Sequence, residues 1–192
     1  MPEFPVEYSR PRNINTPKYW DWARKRMRNV TSKSVRVADR VAKHLEKLPP
    51  AQVQEWGFGH LRLAEAVGVD RWHGFDFSPI TVREATREGY RATIRRCEDA
   101  EDPGDAYVVA LEVIEHLDHL EMMIFLTAIM GASHAFISVP NTTQRDYRFP
   151  QHMRGFGTPD DLAQFLGQFW PRVRVEPVKP YWKLAHCTRP TQ

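Results

Sequence analysis

The sequence predicts an α/β fold: a doubly wound, mostly parallel seven-stranded sheet whose last strand is antiparallel, with helices on both faces and a helical extension at the amino end. Three observations predict it. After Pro50, short apolar runs alternate with stretches of helical period. The last two apolar runs have no helix between them, so they pair as a hairpin. The first 50 residues differ from the rest in charge.

In chain order, residues 1–17 carry Pro2, Pro5, Pro11 and Pro17 among polar residues. They read as an extended arm that is ordered only by packing against something else. Thr16-Pro17 opens a helix, with Thr16 as N-cap and Pro17 in the first turn. Tyr19, Trp20, Trp22, Ala23 and Met27 form its apolar side; Arg24, Lys25, Arg26 and Arg28 form its charged side. A second helix over 34–47 follows from Val37, Val41, Ala42 and Leu45 at helical spacing, and Pro49-Pro50 ends it. Strands are then expected at 53–56, 72–75, 91–95, 107–111, 135–139, 173–178 and 182–188. Helices are expected at 61–67, 80–88, 120–130 and 159–169. The arm and its helices occupy 1–50, and a single domain occupies 51–192.

Composition removes several classes. With 192 residues, 42% hydrophobic and 27% charged, the chain can bury one core and is not disordered. No run of 18 apolar residues exists, so no membrane span is expected. Met1-Pro2-Glu3-Phe4-Pro5 lacks the basic and apolar regions of a secretory signal. Cys97 and Cys187 form neither a zinc knuckle nor a disulfide framework, and a cytoplasmic setting is the expectation. The net charge of +3 conceals an asymmetry: residues 1–50 carry 12 Lys and Arg against 5 Asp and Glu. Residues 98–121 hold nine acids and neither Lys nor Arg. A basic arm faces an acidic mid-section.

Ligands of open α/β sheets sit beyond the carboxyl ends of the strands, so the turn after the first strand is the place to look. It reads Glu55-Trp56-Gly57-Phe58-Gly59-His60-Leu61. Gly57 and Gly59 allow a sharp turn and close approach to a ligand, though a tight β–α turn alone also uses glycines. Asp76 ends the second strand, where a carboxylate accepts from ribose hydroxyls. A dinucleotide fingerprint would need a glycine at Arg62, and Glu55 would repel phosphates. A ribose bearing a cation and no phosphate describes S-adenosylmethionine.

With these residues, and from Val53 to Asn141 above all, the chain resembles the class I S-adenosylmethionine-dependent methyltransferases, a Rossmann-like family. It is similar to their small-molecule, ubiquinone-biosynthesis-like and RNA-modifying groups. The glycine turn resembles their first motif, and Gly74-Phe75-Asp76-Phe77-Ser78-Pro79 their second-strand motif. Cys97-Glu98-Asp99-Ala100-Glu101-Asp102 resembles the acidic segment that meets adenine. Ala110-Leu111-Glu112-Val113-Ile114-Glu115-His116-Leu117 matches the fourth-strand motif, and Ile137-Ser138-Val139-Pro140-Asn141 the fifth-strand end. The stretch from His152 through Arg154 to Leu162 is similar to the segment that opens the last helix. Leu61 departs from the pattern by replacing the third glycine; its side chain either narrows the methionine pocket or points into the core.

The resemblance implies S-adenosylmethionine as cofactor and methyl transfer to an O or N of a small-molecule or nucleotide-type acceptor. Glu55, Gly57, Gly59, Asp76, Phe77, Asp99, Ala100 and Glu112 are the implied cofactor residues. Trp20, His119, Asn141, His152 and Arg154 are the implied acceptor residues, with Arg154 either an anion receptor or a surface charge. His116 is taken as the substrate-facing base, since imidazole titrates near neutrality. Glu112-x-x-Glu115-His116, with His152 or His119, also matches the metal set of RNA 2′-O-methyltransferases, but no metal ligand is assigned at this level. Trp56 and Trp72 are expected in the core. The basic arm keeps nucleic acid open as a partner. A third reading is a degenerate, non-catalytic member that binds or assembles, motivated by Leu61.

Overall fold

The computed structural model describes residues 6–7, 16–20, 31–141, 152–178 and 182–190. Trp22 and the basic run at 24–28 lie outside them, as do residues 142–151 of the loop before the last helix.

The strands are β1 (Val53–Trp56), β2 (Trp72–Asp76), β3 (Arg91–Ile94), β4 (Tyr107–Leu111), β5 (His134–Pro140), β6 (Arg172–Val178) and β7 (Trp182–Thr188). They form one sheet in the order β3-β2-β1-β4-β5-β7-β6. The neighbours from β3 to β5 are parallel, and β7 runs antiparallel to both β5 and β6. The order reverses at β1, so β1 and β4 lie side by side and their carboxyl ends open a crevice.

Helices α1 (Thr31–Leu45), α2 (Arg62–Val67) and α3 (Pro79–Arg87) cover one face; α4 (His119–Ile129) and α5 (Pro159–Leu166) cover the other. Val37, Ala38, Val41, Ala42 and Leu45 of α1 pack on Val53, Tyr107, Val109, Phe136 and Leu184 of the sheet. Met122, Phe125, Leu126 and Ile129 of α4 pack with Leu162, Phe165 and Leu166 of α5 on Trp56, Phe75, Ala110 and Ile137. Trp56 stacks on Phe75 at 4.4 Å between centroids and 17° between planes. Successive strand residues point to opposite faces, which is how β1 feeds Val53 to one layer and Trp56 to the other.

Helix ends follow the sequence closely. Ser78 caps α3 by accepting from the Thr81 N–H, with Pro79 next in line. Asp118 with Glu121, and Thr158 with Asp161, close reciprocal capping boxes on α4 and α5. α1 begins three residues earlier than expected, and α5 stops at Leu166, three residues short of the expected end. Between β3 and β4 only a single 3₁₀ turn, Cys97–Asp99, replaces a crossover helix.

Within the amino-terminal arm, Thr16 accepts from the Tyr19 N–H at 3.2 Å and so caps a helical turn at 17–20, from which the Trp20 ring reaches His116. Val6–Glu7 forms a short antiparallel ladder with Arg154–Gly155. That ladder joins distant, two-residue segments, too short to leave any periodicity in the sequence. No helix among the described residues is long and apolar enough to cross a membrane.

Candidate active site

The glycine turn after β1 is built by backbone geometry. Gly57 and Gly59 have φ of +65° and +48°, a region that side chains disfavour. At Gly57 space also forbids a side chain, since a Cβ would lie 2.7 Å from Val113 Cγ2. The turn therefore packs directly on the loop that follows β4. Asp76, buried at the tip of β2, spans both loops: Oδ1 accepts from Ser78 N–H at 2.8 Å and Oδ2 from Gly59 N–H at 3.4 Å. A carboxylate has about four acceptor positions, so it can serve ribose hydroxyls from the same place.

Glu55 lies under this turn, 1% exposed, and accepts from Trp72 Nε1 at 2.7 Å. Burial pushes its pKa up to about 8, against the pull of the indole hydrogen bond; Asp76 adds to the rise. Leu61 packs against Phe58, Ala64, Trp72, Val82 and Ala85, which settles its direction: it points into the core between α2 and α3. Phe77 follows Asp76 and is half-buried. Asp99 is exposed at the end of the 3₁₀ turn, and the Ala100 N–H donates to the Cys97 carbonyl. Burial raises the Cys97 and Cys187 thiols well above their ordinary range, so both are poor nucleophiles.

Glu112 ends β4 with a φ of +57°, the one non-glycine residue in that region among those described. Its N–H donates to the Ser138 carbonyl and hydroxyl, and the Ser138 hydroxyl donates to its Oε1 at 3.0 Å. Trp182 also donates to the carboxylate, turning it towards β5 and β7. Burial raises its pKa to about 7, and Trp182, Ser138 and Lys183 oppose the rise.

Three residues further on, Glu115 is 1% exposed, and neither carboxylate oxygen has a hydrogen-bond partner among the described residues. His116 Nε2 lies 3.9 Å from Glu115 Oε1. The His116 and His152 rings are 4.9 Å apart, and one ligand atom each from Glu115, His116 and His152 falls within 4.8 Å of the others. Burial and the Glu112 charge hold the Glu115 carboxyl well above the carboxylate range. On the other side of His116, Trp20 packs edge-on at 4.8 Å.

His152 is held there by its own segment. Met153 N–H donates to the Glu115 carbonyl at 2.7 Å, Arg154 Nε to the Leu117 carbonyl at 3.3 Å, and Lys183 Nζ to the Phe156 carbonyl at 2.7 Å. Arg154 is 1% exposed, which overturns the surface-charge alternative: its guanidinium serves a main-chain carbonyl inside the protein. Lys183 carries no signal in the sequence, because only the sheet register brings it to this corner. His119, on the exposed first turn of α4, falls outside the three-residue cluster, and Asn141 is exposed beyond β5. The structure thus gathers Trp20, Glu115, His116 and His152 into one corner and Glu55, Gly57, Gly59 and Asp76 into another. Val113 bridges the two.

No family model and no curated protein matches this sequence. Solved structures do match. The methyltransferase domain of a bacterial Hen1 aligns with a TM-score of 0.65 at 14% identity, covering 80% of this chain and 98% of that one. The 1,6-didemethyltoxoflavin-N1-methyltransferase of Burkholderia thailandensis, bound to S-adenosylhomocysteine, aligns at 0.66 and 16%, covering 96% and 94%. Magnesium protoporphyrin IX methyltransferase from Synechocystis, also with S-adenosylhomocysteine, aligns at 0.60 and 18%, covering 81% and 83%. The fold is that of the class I S-adenosylmethionine-dependent methyltransferases. In this methyltransferase fold the glycine turn and Asp76 occupy the strand ends beside the crevice, and the Glu115 cluster closes its far side.

Buried carboxyls and imidazoles give the fold a defined pH response. Glu55 and Glu112, raised to about 8 and about 7, and Glu115, also raised well above the carboxylate range, favour the protonated native state. Their stabilisation is complete below the ordinary carboxylate range and is lost as pH rises through those values. His73 and His186, both lowered to about 4, act oppositely and lose stabilisation as pH falls from 6.5. The melting temperature of the protein alone is expected to fall as pH rises from about 6.5 to 8, where only the carboxyls still titrate. Glu55→Gln should flatten the alkaline limb; a limb identical to wild type would exclude Glu55 as its source.

Proposed function

We propose that this chain transfers the methyl group of S-adenosylmethionine to an oxygen of a small-molecule or nucleotide-type acceptor, and that Glu115, His116 and His152 hold a divalent cation beside it. The observation that carries the reading is the Glu115 carboxylate, buried without a hydrogen-bond partner among the described residues and next to two imidazoles. A buried carboxylate left so costs several kcal/mol unless it meets a cation or a proton, of the order seen for broken buried pairs. One carboxylate and two imidazoles form a donor set that suits Mn²⁺, Fe²⁺ or Zn²⁺, and with added water Mg²⁺.

S-adenosylmethionine supplies a methyl group already activated on a sulfonium, so alignment is the main work left to the protein. Asp76 binds the ribose hydroxyls and keeps the glycine turn and β2 tip in register. Glu55, ionised when a cation is adjacent, balances the methionine end. Phe77 and Asp99 border the adenine. Glu115, His116 and His152 would hold the divalent cation, and it would supply Lewis-acid polarisation of an acceptor hydroxyl. Trp20 covers His116 and excludes water from that side, which supports a lid role for the part of the amino-terminal arm that precedes α1.

Calorimetry with S-adenosylhomocysteine, followed by metal analysis of the purified protein, tests the reading. Micromolar binding and a divalent ion that survives dialysis are expected. A folded protein with no binding up to about millimolar ligand excludes the enzyme and leaves the binding-module reading. Nucleic acid as acceptor is the second reading, favoured by the excess of 12 basic over 5 acidic residues in 1–50. It requires an RNA affinity that falls steeply with salt.

A further inference from the structure

Trp72 lies on β2, one strand away from the glycine turn, and no motif singles it out. It is 1% exposed, and its ring makes edge contacts with Phe58 at 5.1 Å and Tyr90 at 5.7 Å. A core indole needs no more than this. Yet its Nε1–H points along the strand to Glu55 Oε2 at 2.7 Å. It can do so only because Gly74 stands between them: a Cβ at Gly74 would lie 2.2 Å from the ring carbon Cη2 and 2.7 Å from Phe58. Gly74 is paired directly with Glu55 across the β1–β2 ladder. Its φ is not of the kind that demands glycine, so clearance for the indole is the reason for it.

We infer that Trp72 is a positioning residue for the cofactor: its indole N–H fixes the Glu55 carboxyl beneath the Gly57–Gly59 turn, and Gly74 clears the path. This rests on the cofactor reading given above. An indole nitrogen donates and cannot accept, so it pairs with the carboxyl in either protonation state and favours the ionised one. Burial works against ionisation, and the hydrogen bond is what keeps it within reach of neutral pH. When a cationic methionine group arrives, the carboxyl ionises in place and a proton leaves to solvent. Without the indole, the carboxyl loses its orientation and its ionisation moves to higher pH.

Wild type and Trp72→Phe are compared by calorimetry with S-adenosylhomocysteine from pH 6 to pH 9, in two buffers of different ionisation enthalpy. Wild type should bind more tightly as pH rises and release a proton near neutrality. Trp72→Phe, which keeps a ring and loses the N–H, should bind about tenfold more weakly at pH 7 with its midpoint moved upward. In a Glu55→Gln background, Trp72→Phe should add little. Equal affinity and an unchanged midpoint in Trp72→Phe overturn the positioning role, whereas absence of binding in wild type overturns the cofactor reading instead. If Trp72→Phe does not fold, the indole N–H resonances of ¹⁵N-tryptophan-labelled wild type decide. The resonance that Glu55→Gln displaces should move with pH and with ligand, and one that moves with neither overturns the inference.

Discussion

Glu115→Ala is expected to lower the proposed methyl transfer by about a thousandfold and to leave affinity for S-adenosylhomocysteine unchanged. Glu115 supplies the only carboxylate of the three-residue cluster, and its side chain does not take part in the glycine turn. Removing it leaves two imidazoles, a poor set for a hard cation, and bound metal should fall with activity. The same substitution is expected to raise the melting temperature of the metal-free protein. A buried carboxyl with no hydrogen-bond partner among the described residues is taken away, and a small cavity is the cost. A variant that is both more stable and inactive is the signature of a strained functional site. Glu115→Gln gives the same split without the cavity. Activity within a few fold of wild type in either variant, with metal retained, would remove the cluster from the chemistry.

Asp76→Ala weakens S-adenosylhomocysteine binding by about a hundredfold, as expected for two lost hydrogen bonds to a charged acceptor. The loss has two parts. Ribose hydroxyls lose their acceptor, and the N–H groups of Gly59 and Ser78 lose the carboxylate that holds the two loops together. Asp76→Asn separates them, because the amide oxygen still accepts from one loop while the charge is gone. It should bind better than Asp76→Ala and still well short of wild type. Titration calorimetry reads both, and full affinity in Asp76→Ala would show that the ribose sits elsewhere.

What the sequence made legible follows from how local each signal is. β1, β4 and β7 occupy the predicted residues because short apolar runs bounded by turn residues mark strands directly. The cap at Thr16 was readable for the same reason, since a hydroxyl before Pro-X is a local message. Glu55, Gly57, Gly59 and Asp76 were found through spacing within one β–α–β unit. The direction of Leu61 was not legible, because it depends on what α3 brings to meet it. Nor was the role of Arg154, whose carbonyl partner lies 37 positions away. The choice between base and metal ligand at His116 turns on His152, and only the folded chain sets the two rings side by side.

The three bonds that fasten the His152 segment come from the β4–α4 loop and from Lys183 on the last strand. Their order of appearance during synthesis has a consequence. The glycine turn and Asp76 are set by β1, β2 and the loop after β4, whereas the His152 segment also needs Lys183 from β7, which is synthesised after them. The His152 corner is therefore completed later than the glycine turn, when β7 slots between β5 and β6.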